Sequence, residues 1–173
     1  SNREQTGRPS KFWAHARNFG EISNMLLRDY VVSVLRSRGY RAVAPFNSQH
    51  FRRLDDTPVG IASNWSERHV AYACGLGTFG LSDGLITPRG KAMRCGSVVT
   101  DMPLKPGTRP YKTHTEFCLF HTHGTCTQCV QRCPAGAITE AGHDKYKCWK
   151  YVYDAVKKII NPEYGVVNGG CGL

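Results

Sequence analysis

Six of the eight cysteines crowd the last third of the chain, and their spacing limits what that third can become. Cys126, Cys129 and Cys133 run as C-x2-C-x3-C, with Pro134 directly after. Cys118 lies just upstream, Cys148 and Cys171 downstream. A disulfide framework belongs mainly to small secreted domains. Here the N-terminal stretch is polar and lacks the apolar segment of a secretory signal. Thiols so close together are poor bridges to distant partners and good grips for one metal centre. The segment is therefore expected to fold around metal.

The rest of the chain must supply ordinary cores. Its 173 residues suffice for one large domain or two small ones. Hydrophobic residues make up 40%, and no apolar run approaches the roughly 18 residues of a membrane helix, so the chain reads as cytoplasmic, with no membrane partner. A net charge of +10 favours polyanions or an acidic protein. The basic residues are scattered, however, and no aromatic-rich RNA-binding signature accompanies them. The chain starts with Ser1 and ends Cys171-Gly172-Leu173, which looks like the opening of another cysteine motif. It reads as a piece of a longer protein.

Local pattern divides the chain in two. Residues 1–12 are polar and expected to be loose. Met25, Leu26, Leu27, Tyr30, Val31, Val34 and Leu35 recur at three- and four-residue steps, which predicts a helix from Glu21 to Arg38, with Gly39 as its stop. A short strand follows at 41–45, then an irregular loop to residue 62. Asn64 with Glu67 resembles a capping box opening a helix from Trp65 to Cys74. Strands are expected at 85–87 and 95–100. Residues 105–112, with Pro106, Gly107 and Pro110, read as the linker. Trp149, Val152, Tyr153, Val156, Ile159 and Ile160 predict an amphipathic helix from Asp144 to Ile160, broken by Asn161-Pro162. The expected organisation is an α/β domain over 20–104 and a cysteine domain over 113–173.

The run C-x2-C-x3-C-P matches the last three cysteines of bacterial ferredoxins, which names an iron–sulfur cluster. Thiolates on a tight loop surround the cluster, and backbone N–H groups of that loop tune it. Pro134 offers no N–H and turns the chain away, leaving Cys133 free to serve a second cluster. The full run would carry a cysteine where His123 stands. Cys118 is the preferred substitute, with His123 or His121 as alternatives. Cys148 and Cys171 can join Cys133 on the second cluster. A tetrahedral zinc site using Cys126 and Cys129 is the main rival, and would suggest a nucleic-acid-binding module.

Four blocks in order carry a family resemblance: AYACGLGTFG at 71–80, LIT at 85–87, GSVVTDMPL at 96–104, and the cysteine run ending in AGAI. In this order they resemble the epoxyqueuosine reductases and their relatives the reductive dehalogenases. The resemblance implies an α+β fold, a partial nitroreductase-like α/β domain that binds cobalamin followed by a ferredoxin-like 4Fe-4S module, truncated at its C-terminus. It implies an oxidoreductase that passes electrons from a donor protein through up to two [4Fe–4S] clusters to the cobalt, with a tRNA or a small molecule as substrate. Cys126 and Cys129 match ligands of the first cluster; Cys133, Cys148 and Cys171 match ligands of the second. Gly75, Gly77, Gly80 and Thr100 match walls of the corrin site. The chain departs from the family at Gly60 to Asn64, where an acidic proton donor would stand, and after Gly80, where Leu81-Ser82 replaces Lys-Asn. A ferredoxin-type carrier with no substrate of its own is the alternative.

Other residues read more plainly. Cys74 and Cys95 are expected in the core as small hydrophobes. His69 is expected on the surface or packed, and His114, His121 and His123 in loops. Asp101 reads as a turn former, Trp65 and Trp149 as core anchors.

Overall fold

The computed structural model describes residues 8–172. Helix α1 spans Lys11–Ser37, ten residues earlier in its start than the apolar periodicity predicts. The Ser10 hydroxyl accepts from the Trp13 N–H and caps it. The early start has a packing reason. Ala14 joins Val156, Ile160 and Val166 in a buried cluster, with Trp13, Tyr151 and Tyr164 against it. The start of α1 thus packs on the end of the chain. The buried positions of α1 are Ala14, Asn18, Arg28 and Leu35. Phe12, Phe19, Leu26, Leu27 and Tyr30 are exposed instead. The helix period was right, but its apolar stripe is not the face the described residues cover.

Among the described residues the strands are short and each pair is antiparallel. β1 (Ala42–Val43) pairs with β6 (Val99–Thr100), and β2 (Arg53–Leu54) with β3 (Ala62–Ser63). β4 (Thr78–Phe79) pairs with β5 (Leu85–Ile86), and β7 (Ile138–Thr139) with β8 (Gly142–His143). The fold is mixed α+β, with small ladders rather than one broad sheet. The strand expected at 95–100 shrinks to its last two residues because Cys95 and Gly96 are held by α1. The Asn24 side chain donates to the Cys95 carbonyl, and a Cβ on Gly96 would meet Asn24 Oδ1 at 2.9 Å.

Helix α2 spans Glu67–Ala73, and its cap is Ser66, not Asn64. Asn64 is occupied elsewhere: its Oδ1 accepts from the Arg52 N–H and its amide donates to the His50 carbonyl. The segment expected as a linker packs onto the end of α2. Tyr111 is buried, stacks on Tyr72 and donates its hydroxyl to the Tyr72 carbonyl. Gly75 closes the approach, since a Cβ there would lie 2.9 Å from the Thr108 carbonyl oxygen.

The cysteine segment contains α3 (Leu119–His123), α4 (Gln128–Gln131), α5 (Lys145–Lys150) and α6 (Lys157–Tyr164). A π-helical stretch, Tyr151–Val156, joins α5 to α6. One continuous α-helix to Ile160 is therefore corrected twice. The wider π turn shifts the face downstream of it, so Val156 and Ile160 are buried while Tyr153 and Ile159 are exposed. Pro162 lies inside α6 rather than ending it. Its missing N–H falls in the second turn of α6, just after the π stretch. Gly165, with φ 65°, is the stop.

Candidate metal centre

The region is organised by the β4–β5 turn, residues 80–84. Gly80 N–H donates to the Gly84 carbonyl and Asp83 N–H to the Gly80 carbonyl. Asp83 takes φ 55°, a conformation Asp tolerates better than most residues. β4 is locked in place by a close approach: a Cβ on Gly77 would lie 2.3 Å from the Ile86 carbonyl oxygen. Thr78 is fully buried, and its hydroxyl accepts from the Phe117 N–H at 2.9 Å. Phe79 N–H donates to the His114 carbonyl at 2.6 Å. The chain is thereby delivered to Cys118 at a fixed point.

From that turn, Leu81 and Asp83 reach different parts of the cysteine segment. Leu81 packs with Cys118 and Ile138, and Cys129 and Cys133 lie against the same cluster. Burial pushes the Cys129 thiol up, with Lys91 opposing the shift. Cys126 is half-buried beside α4 and is not in that packed group. His121 and His123 are exposed, the latter with Nδ1 2.7 Å from the Thr122 hydroxyl.

Cys133, Cys148 and Cys171 come from three separate segments and line one cavity of about 340 Å³. Its walls include apolar Ile138, Tyr151 and Val152 and three cationic side chains, Arg17, Arg68 and Lys91. Cys133 Sγ accepts from the Ala137 N–H at 3.3 Å. Among the described residues, no three His, Cys, Asp or Glu side chains converge on a point as for a single metal ion. The three thiols instead stand around a space, which suits a polynuclear cluster whose iron corners are held apart. The donor set, the N–H to sulfur bond and the cationic wall fit such a group, which is anionic when bound by thiolates.

His143 lines the same cavity. Its Nδ1 is 3.0 Å from Asp83 Oδ2. That bond first, and a side-chain bond to Cys148 second, push its pKa up to about 9. The same pairing holds Asp83 below its ordinary value. The histidine is raised, so its contribution to stability is complete below its unfolded value near 6.5 and is lost as pH rises through about 9. Asp83 is lowered, so its share is lost only in acid. The melting temperature of the metal-free chain is expected to fall between about pH 6.5 and 9, and His143→Gln is expected to flatten that fall. An unchanged pH profile in the variant would count against the pair.

The remaining predicted site residues are placed apart. Thr100 lies in β6 and donates its hydroxyl to the Arg41 carbonyl. Asp101 pairs with Arg41 at 2.8 Å. At Gly75, Gly77 and Gly80 the space a side chain would need is taken by this chain's own atoms. His69 rests on Phe79, with centroids 4.8 Å apart. Cys74 is exposed rather than core, because it caps the C-terminal end of α2. Cys95 is half-buried. Trp65 donates to Ser97 at 3.0 Å, and Trp149 stacks on Tyr153. Sequence reasoning passed over Arg17, Arg68, Ser82, Asp83, Lys91 and His143. The one available signal was Asp83-Gly84, a turn dipeptide between two strands.

Comparison with known proteins agrees with the family resemblance. An epoxyqueuosine reductase of Bacillus anthracis is 32% identical over 101 residues, 57% of this chain and 24% of the relative. One from Synechocystis sp. is 37% identical over 89 residues, 50% of this chain and 26% of the relative. One from Leadbetterella byssophila is 30% identical over 112 residues, 64% of this chain and 32% of the relative. This chain is similar to part of each of these epoxyqueuosine reductases. It spans about a quarter to a third of the length of these relatives. No family model matches this chain, and no solved structure matches it significantly. No described helix of this chain is long and apolar enough to cross a membrane.

Proposed function

We propose that this chain is the electron-carrying part of a corrinoid-dependent oxidoreductase of the epoxyqueuosine-reductase type. Cys118, Cys126 and Cys129 hold one [4Fe–4S] cluster, and Cys133, Cys148 and Cys171 contribute to another. The observation that carries the reading is the shared cavity of the last three thiols, drawn from segments far apart in sequence. The clusters, when bound, supply one-electron redox chemistry. The chain's own residues do the rest. Ile138, Tyr151 and Val152 limit water, the Ala137 N–H donates to Cys133, and Arg17, Arg68 and Lys91 offset negative charge. An electron-donor protein is the implied partner. The net charge of +10 supports a polyanionic substrate such as tRNA, with a small molecule as the alternative.

A second reading, an electron carrier with no substrate of its own, is favoured by one observation. The glycine loop offers a corrin no cradle, since its glycines are filled from within.

The test is the iron and labile-sulfide content of anaerobically reconstituted protein, followed by a cobalamin-binding assay. The expected result is a brown protein holding about eight iron atoms, two clusters' worth. A colourless protein that binds zinc in place of iron would overturn the reading. Iron without cobalamin affinity would select the carrier.

A further inference from the structure

The cationic wall contains one residue placed differently from the others. Lys91 belongs to the loop after β5, and much of it remains exposed to solvent. Its side chain nevertheless lies flat across Gly84. A Cβ built on Gly84 would stand 2.2 Å from Lys91 Cε, 3.3 Å from Cδ and 3.1 Å from Nζ. Glycine at position 84 is what allows this path. Lys91 Nζ donates to the Ser82 hydroxyl at 2.7 Å, and Ser82 and Gly84 line the same cavity as Lys91. The ammonium is thus tethered at the turn that also presents Leu81 to the other cysteines.

Two sets of thiols feel this charge. Burial lowers the Lys91 pKa, and Cys129, Cys171 and Cys118 each oppose that shift. Cys118 and Cys129 belong to one proposed cluster and Cys171 to the other. Arg68 and Arg17 are each held by a backbone carbonyl. Arg68 donates to the Asp83 carbonyl at 2.7 Å, and Arg17 to the Asn168 carbonyl at 2.9 Å.

We infer that Lys91, laid across Gly84 and tethered to Ser82, is a potential-setting cation shared by the two cluster sites. The inference rests on the cluster reading above. Reduction adds one electron to a cluster whose thiolates already make it negative. A nearby fixed cation stabilises that added charge, so it raises the potential. At an effective dielectric near 20 and a separation of about 10 Å, one unit charge changes such an equilibrium by roughly tenfold. Tenfold corresponds to about 59 mV for a one-electron couple. Lys91 is a positioning residue here, since it ligates nothing.

The experiment is a dithionite titration followed by electron paramagnetic resonance, on the intact protein reconstituted with iron and sulfide. Iron is counted in every sample. Lys91→Gln is expected to keep its iron and move both midpoint potentials negative by about 59 mV, the tenfold change. Gly84→Ala is expected to do the same with no change in composition of charge, because the new methyl displaces the lysine's flexible end. Lys91→Arg is expected to stay near the wild type. Unchanged potentials in Lys91→Gln would overturn the inference, and so would movement of one cluster alone or loss of iron. Wild-type protein without iron would overturn the cluster reading itself, a separate outcome visible before any variant is titrated.

Discussion

Arg28→Met is expected to destabilise this chain by about 3–5 kcal/mol, the range for removing one partner of a buried ion pair. For a chain of this size that is a fall in melting temperature on the order of 10 °C. The guanidinium side chain is 3% exposed and joins α1, the turn at Pro45–Asn47 and the start of α2. Its Nη2 is 2.9 Å from Glu21 Oε1 in α1, and its Nε donates to Asn47 Oδ1 at 2.9 Å. It covers the Phe46 ring at 4.7 Å. Its Nη1 lies 3.5 Å from Glu67 Oε1 at the start of α2. Glu67 is the vulnerable member. Both its carboxylate oxygens are buried and accept no hydrogen bond, so the Arg28 charge is their only compensation among the described residues. Methionine would fill the volume and leave that carboxylate bare. Arg28→Met combined with Glu67→Leu is therefore expected to recover much of the loss, since both charges leave together. A denaturant midpoint for Arg28→Met within about 0.5 kcal/mol of wild type, the range for surface changes, would refute the network.

Arg28 also shows why part of the fold was hidden in the sequence. The apolar residues of α1 gave the helix and its period correctly. They could not give its buried face, because the stripe that turns inward carries Asn18 and Arg28. Polar residues satisfied by distant partners leave no periodic trace. Asn18 accepts from Val167 and Asn168 N–H groups some 150 residues away. The C-terminal helix was legible as a helix, but a π turn inserts a phase shift that a fixed 3.6 period misreads. The compact run Cys126, Cys129 and Cys133 was legible because its spacing is local. The turn at 80–84 was not, since its role comes from what tertiary packing brings to Leu81, Ser82 and Asp83.

Serine replacement, one cysteine at a time, is expected to split the thiols into three groups by which cluster, if either, is lost. Cys133→Ser, Cys148→Ser and Cys171→Ser should each lose about four iron atoms, one cluster's worth. Cys118→Ser, Cys126→Ser and Cys129→Ser should lose the other four or so. Cys74→Ser and Cys95→Ser should keep all, because Cys74 is exposed at a helix end and Cys95 lies against α1. Cys118 is the sharpest member of the set. It lies upstream of the compact run, yet Leu81 packs it against the group that contains Cys129 and Cys133. If His123 were the ligand in place of Cys118, Cys118→Ser would retain its iron and His123→Ala would lose it. Cys133 tests the division itself, since its sulfur lines the cavity of the second set while its side chain touches the first. A mononuclear zinc site predicts a different pattern, in which Cys148→Ser and Cys171→Ser bind as the wild type does. Loss at both of these positions requires a centre large enough to be reached from α5 and from the end of the chain at once.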